Sequence, residues 1–69
     1  MHRFSGKRLS RARQDAGLRR EHLALSVDRS AQTITLYELG RIDPPASVVG
    51  RLADAVGCAP GDLYERGDK

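Results

Sequence analysis

Residues 20–41 read REHLALSVDRSAQTITLYELGR, and the fold turns on how this stretch divides. Leu23, Ala24 and Val27 fall at i, i+1 and i+4, the spacing of one face of a short helix over 20–27. Asp28-Arg29-Ser30 reads as a turn, because aspartate tolerates left-handed backbone and serine caps helices. Ile34, Tyr37 and Glu38, at i, i+3 and i+4, mark a second helix over 31–39, with Gly40 where a C-terminal cap belongs. Thr33-Ile34-Thr35-Leu36-Tyr37 has strand propensity of its own. Helix is still the reading, since a lone strand has no partner here and both ends carry helix punctuation.

The same logic extends in both directions. Upstream, Leu9, Ala12 and Ala16 share a face over 7–16, and Gly17 stops that helix. Downstream, Ile42-Asp43-Pro44-Pro45 is loop. Val49, Leu52, Ala53 and Val56 then form the clearest helical stripe, over 46–56, ended by Gly57. Pro60 opens a last short helix, where its missing N–H costs nothing, with Leu63 and Tyr64 as apolar contacts. The expectation is one all-α domain over 1–69, a compact five-helix bundle with its core at about 4–65 and short flexible tails.

Sixty-nine residues bury only a modest core. One cysteine, Cys58, allows no intrachain disulfide, and with two scattered histidines it is too little for a Cys-based zinc site. Cys58 reads as core filler, and His22 as a solvated side chain. No apolar run approaches membrane-span length, and the N-terminus leads into no signal-peptide stretch, so the expected setting is cytoplasmic. No residue set suits nucleophilic or general acid–base chemistry, and Gly57-Cys58-Ala59-Pro60-Gly61 lacks the lysine and preceding strand of a phosphate loop. The expectation is therefore no enzyme, no cofactor, no metal and no small-molecule ligand.

Charge is distributed unevenly. Residues 1–41 carry nine basic side chains against four acidic, and residues 42–69 three against five, within a net of +3. A basic front half suits a polyanion. Two helices joined by a connection as tight as Val27–Ser30 cross at a large angle, so the second projects and fits a DNA major groove. Its outward residues Ala31, Gln32, Thr33 and Thr35 are small and polar. Gln32 suits adenine, and alanine or threonine methyls suit a thymine methyl.

The run from Leu23 to Arg41 resembles the helix-turn-helix of Cro/C1-type (XRE) DNA-binding domains, whose pattern is roughly LAxxlGvSxsxIsxxExG. The likeness continues through Pro44, through Val49-Gly50-Arg51-Leu52-Ala53-Asp54-Ala55-Val56-Gly57 and to Leu63-Tyr64. Upstream it takes in Leu9–Arg13 and Gly17-Leu18, about residues 4–65 without a gap. It implies a lambda-repressor-like fold and sequence-specific binding of double-stranded DNA by a repressor-like transcriptional regulator. By the same resemblance, Ala31, Gln32, Thr33, Thr35 and Leu36 fall on base-facing positions. Arg20, Ser30 and Arg41 fall near phosphates, with Arg20 also bracing the recognition helix, and the charges of Arg19 and Arg29 beside them make these two further phosphate contacts. Arg13 and Glu38 fall on positions that form a partly buried structural ion pair.

Several positions depart from the family pattern. The turn glycine is Asp28, the following valine is Arg29, and the usual Ser-Gln opening is Arg19-Arg20, which loses a cap and gains charge. Gly50 replaces a bulky residue, as where another helix or a second subunit approaches closely. Leu36 and Leu39 replace residues that are usually polar. A homodimer on a palindromic site fits a module that reads few base pairs, with Gly57–Leu63 as the family-like dimer surface. The alternative is a protein-interaction module, an antitoxin or adaptor of the same fold, docking a protein partner through Leu36 and Leu39 with Ile42 beside them.

Overall fold

In the computed structural model, which describes residues 2–66, the element order is β1 (His2–Phe4), α1 (Gly6–Asp15), α2 (Arg20–Ser26), α3 (Ala31–Glu38) and α4 (Ala46–Val56). A single 3-10 turn at Pro60–Leu63 and then β2 (Tyr64–Arg66) complete it. The four helices lie where the hydrophobic spacing puts them, and the all-α core is as expected. Two expectations need correction. The fifth helix is a four-residue 3-10 turn, because Pro60 and Gly61 leave too little helix-forming sequence before Leu63.

The expected tails are also partly structured. His2–Phe4 pairs antiparallel with Tyr64–Arg66, placing Phe4 opposite Tyr64. The pairing is held from inside: Phe4 meets Tyr37 and Tyr64 edge-on, at ring-centroid distances of 6.5 and 6.2 Å. The adjoining Ser5 amide donates to the Leu63 carbonyl at 2.8 Å. The expected frayed end, Gly67-Asp68-Lys69, lies outside the described residues, as does Met1.

The core takes one or more side chains from every helix: Leu9, Leu23, Val27, Ile34, Tyr37, Val48, Val49, Leu52 and Ala53, with Leu63 and Phe4 closing it. Leu63 is fully buried, so it adds nothing to a surface around Gly57–Leu63. Cys58 packs half-buried against this core, and burial, helped by the nearby Asp62 carboxylate, pushes its thiol pKa up. No helix among the described residues is long and apolar enough to cross a membrane.

Two glycines on helices stand in opposite surroundings. A side-chain carbon on Gly6 would run into the Tyr37 and Glu38 carbonyl oxygens and lie 2.7 Å from the Glu38 carbonyl carbon. The start of α1 therefore sits directly against the last turn of α3, its positive helix end facing the other's negative end. Around Gly50, by contrast, there is open space within this chain.

Candidate nucleic-acid interface

The joint between α2 and α3 is made by backbone geometry. Val27 ends α2, and the Arg29 amide donates back to the Ala24 carbonyl at 2.9 Å. Asp28 holds φ at 57°, the left-handed conformation that a glycine would take without strain. Ser30 caps α3: its Oγ accepts from the Thr33 amide at 3.1 Å. Below the joint, Leu23, Val27 and Ile34 are sealed from solvent and fix the angle between the helices.

With Ile34, Tyr37 and Glu38 turned inward, helical periodicity puts Gln32, Thr35, Leu36 and Leu39 along the outward stripe of α3. Gln32 and Leu39 are exposed, Leu39 to 62%, while Ala31, Thr33, Thr35 and Leu36 are half-buried. The expected apolar patch of Leu36, Leu39 and Ile42 is thus smaller than the sequence implied, with Leu36 partly withdrawn into it. The hydroxyls of the region are used internally. Ser30 Oγ and Thr33 Oγ1 are hydrogen-bonded at 2.9 Å, and Thr35 Oγ1 donates to the Ala31 carbonyl at 3.2 Å.

Cations stand at both ends of the stripe. Arg29, just before the cap, is exposed, with Nη1 donating to the Asp28 carbonyl at 3.0 Å. Arg41, just after α3, is exposed, as is Arg19 at the start of α2, whose side chain makes no capping bond. Arg20 is different, for its Nε donates to Glu38 Oε1 at 3.0 Å while 45% of its side chain stays in solvent.

Glu38 is the hub. Arg13 Nε donates to Glu38 Oε2 at 2.6 Å and Arg13 Nη2 to Oε1 at 3.3 Å, while Arg13 Nη1 donates to the Leu18 carbonyl at 2.9 Å. All three of its nitrogens face inward, and its side chain is 11% exposed. Arg13 is thereby a structural arginine that ties α1, the α1–α2 loop and α3 together. One carboxylate shared by two guanidiniums leaves a net positive charge, and the Arg20 end of it reaches solvent.

Arg20, expected to brace the recognition helix, bonds Glu38 across eighteen positions, a partner that no local spacing announces. Sequence reasoning missed one member of this arrangement. Gly6 was legible: extending the inward face of α1 back one turn gives Gly6, Leu9 and Arg13 at i, i+3 and i+7, with the smallest residue where two helix ends meet.

The model of the family described as "Helix-turn-helix domain" matches residues 6–66 of this chain. Among solved structures, the chain is similar to the P22 c2 repressor protein crystallised with a synthetic operator. The TM-score is 0.82 and the identity 26%, with 96% of this chain and 98% of that one covered. It is also 38% identical over 52 residues to the endothelial differentiation-related factor 1 proteins of Rattus norvegicus and Mus musculus, across 75% of its length. The chain spans about a third of the length of those two relatives, at 35% of each.

Proposed function

As the chain belongs to the helix-turn-helix domain family, of Cro/C1 type, we propose that it binds double-stranded DNA sequence-specifically and acts as a cytoplasmic, repressor-like transcriptional regulator. The observation that carries this reading is the outward stripe of α3, uncharged and flanked by Arg20, Arg29 and Arg41. A duplex offers the complement, a groove of uncharged base edges between two rows of phosphates. In this reading α3 enters the major groove. Ala31, Gln32, Thr33, Thr35 and Leu36 meet base edges, and Arg19, Arg20, Arg29, Ser30 and Arg41 meet the backbone. The likeness to a repressor captured on an operator supports it.

Arg20 illustrates the mechanism. Its Nε is held by Glu38, so the guanidinium is already oriented before DNA arrives, and less side-chain entropy is lost on contact. A homodimer on a palindrome would double the reading length. The exposed Gly57, Ala59, Pro60, Gly61 and Asp62 are the surface proposed for it.

The test is selection of bound sequences from random duplex DNA at near-physiological salt. A recovered motif supports the proposal, and half-sites about one helical turn apart add the dimer. On that motif, Gln32→Ala should cost about 1–3 kcal/mol and relax one position, whereas Arg20→Ala should weaken all sequences alike and lower the salt slope by about one. A second reading, docking of a protein partner, is favoured by the exposure of Leu39 and Ile42, 62% and 43%. It predicts no recovered motif and binding that varies little with salt.

A further inference from the structure

Resting on the DNA-binding reading above, we infer that the outward stripe of α3 selects its site through C5-methyl groups, those of thymine first and of 5-methylcytosine by the same contact. Three observations lead there. Between Ala31 and Tyr37 there is no charged residue, and the one carboxylate at the end of α3, Glu38, is buried under two arginines. Guanine is commonly recognised by an arginine or lysine reaching its O6 and N7, and α3 has neither to send.

The hydroxyls are partly engaged as well. Thr35 Oγ1 is committed to the Ala31 carbonyl and the Ser30–Thr33 hydroxyls to each other, so these threonines have less polar capacity left for a base than their formulas suggest. What the stripe still offers a groove is the exposed Gln32 amide and the carbon surface of Ala31, Thr35, Leu36 and Leu39. The amide suits the N6 and N7 of adenine. Among the four standard bases only thymine projects a methyl group into the major groove for an apolar side chain to cover. The arginines at both ends of the stripe place it against a polyanion, which favours a duplex over an apolar protein groove as its occupant.

Removing one methyl from such a contact weakens binding about fourfold, the equivalent of uncovering one buried carbon. The experiment uses the wild-type chain and the motif recovered by selection, resynthesised with deoxyuridine replacing thymidine one position at a time. Binding is measured at fixed salt. The expected result is about fourfold weaker binding at one or more positions in each half-site, with the base-pairing hydrogen bonds untouched. Replacing the affected T·A pair by C·G should weaken binding further, and 5-methylcytosine in place of that cytosine should recover part of the loss. Leu36→Ala should flatten the difference between thymine and uracil at one position, and the DNA analogues give the answer even if that variant does not fold. Equal affinity for thymine and uracil at every position would overturn the methyl reading alone and leave specific DNA binding standing. A selection that recovers no motif would overturn both.

Discussion

Gly6 and Gly50 allow the packing to be tested with one kind of substitution that has opposite expected signs. Glycine inside a helix is worse than alanine by about 1 kcal/mol, so Gly→Ala in open space should stabilise. Around Gly50 the space is open, and Gly50→Ala should raise stability by about 0.5–1 kcal/mol. At Gly6 the added carbon meets the carbonyls of Tyr37 and Glu38, which are backbone and cannot rotate aside. The α3 end they belong to is pinned by buried Tyr37 and by the Arg13–Glu38 pair. Relief therefore requires α1 to move away by roughly 1 Å, which strains that ion pair and the Ser5–Leu63 hydrogen bond. Overpacking of this kind costs about 1–3 kcal/mol, and a site closed by backbone belongs at the upper end.

A chain of this length has roughly 3–10 kcal/mol to lose. Gly6→Ala should therefore lower the melting temperature by more than 10 °C, at about 4–8 °C per kcal/mol. Urea titration followed by far-ultraviolet circular dichroism, with the slope m checked for constancy, reads both variants on one scale. If Gly6→Ala lies within about 0.5 kcal/mol of wild type, α1 does not abut α3 as described and the argument fails. If Gly50→Ala destabilises, that position is covered in solution, and a concentration-dependent melt would identify a second copy as the cover.

Other perturbations probe the joint and the hub. Glu38→Gln leaves two guanidiniums without a countercharge and should cost about 3 kcal/mol or more in the same titration, whereas a loss below 1 kcal/mol would mean that solvent already screens the pair. Asp28→Gly removes the strain of φ 57° at some cost in unfolded-chain entropy, for a net gain of about 0.5 kcal/mol in Tm-derived stability. A loss on Asp28→Gly would show that the aspartate side chain stabilises the turn. Because the Cys58 thiol pKa is raised, its thiolate fraction at pH 8 is smaller than that of an ordinary thiol. Alkylation by iodoacetamide should accordingly be slower in the folded chain than in urea, and equal rates would refute the burial.

How much of this was legible from the sequence depends on the range of each interaction. Helix spans and caps are local. The stripe Val49, Leu52, Ala53, Val56 fixes α4 to the residue, and Ser30 and Gly57 sit where their own backbone preferences put them. The Thr33–Tyr37 segment resolves against its strand propensity because Ile34 and Tyr37 have a core to enter. The β1–β2 pairing escaped because its partners are sixty residues apart and three residues long, too short for alternation to register. Of the candidate interface, the outward residues of α3 follow from periodicity alone. Their hydroxyl partners do not, since Thr35 could as well have faced a base as the Ala31 carbonyl.

The placement of Glu38 links the fold to the candidate interface. A buried carboxylate with one arginine would be a structural pair and nothing more. With a second arginine sharing its Oε1 it remains structural through Arg13 and also aims Arg20 toward solvent. The consequence is a definite asymmetry between the two cations. Loss of Arg13 strips three inward bonds from the fold, so its effect on DNA binding should vanish once the fraction folded is corrected for. Loss of Arg20 leaves Glu38 still bonded to Arg13, so its effect on stability should be small and its effect on affinity should persist at saturating folded protein. A stability cost for Arg20→Ala as large as that for Arg13→Ala would mean that Arg20 belongs to the core and not to the interface. The salt slope of the folded Arg20 variant would then match the wild type.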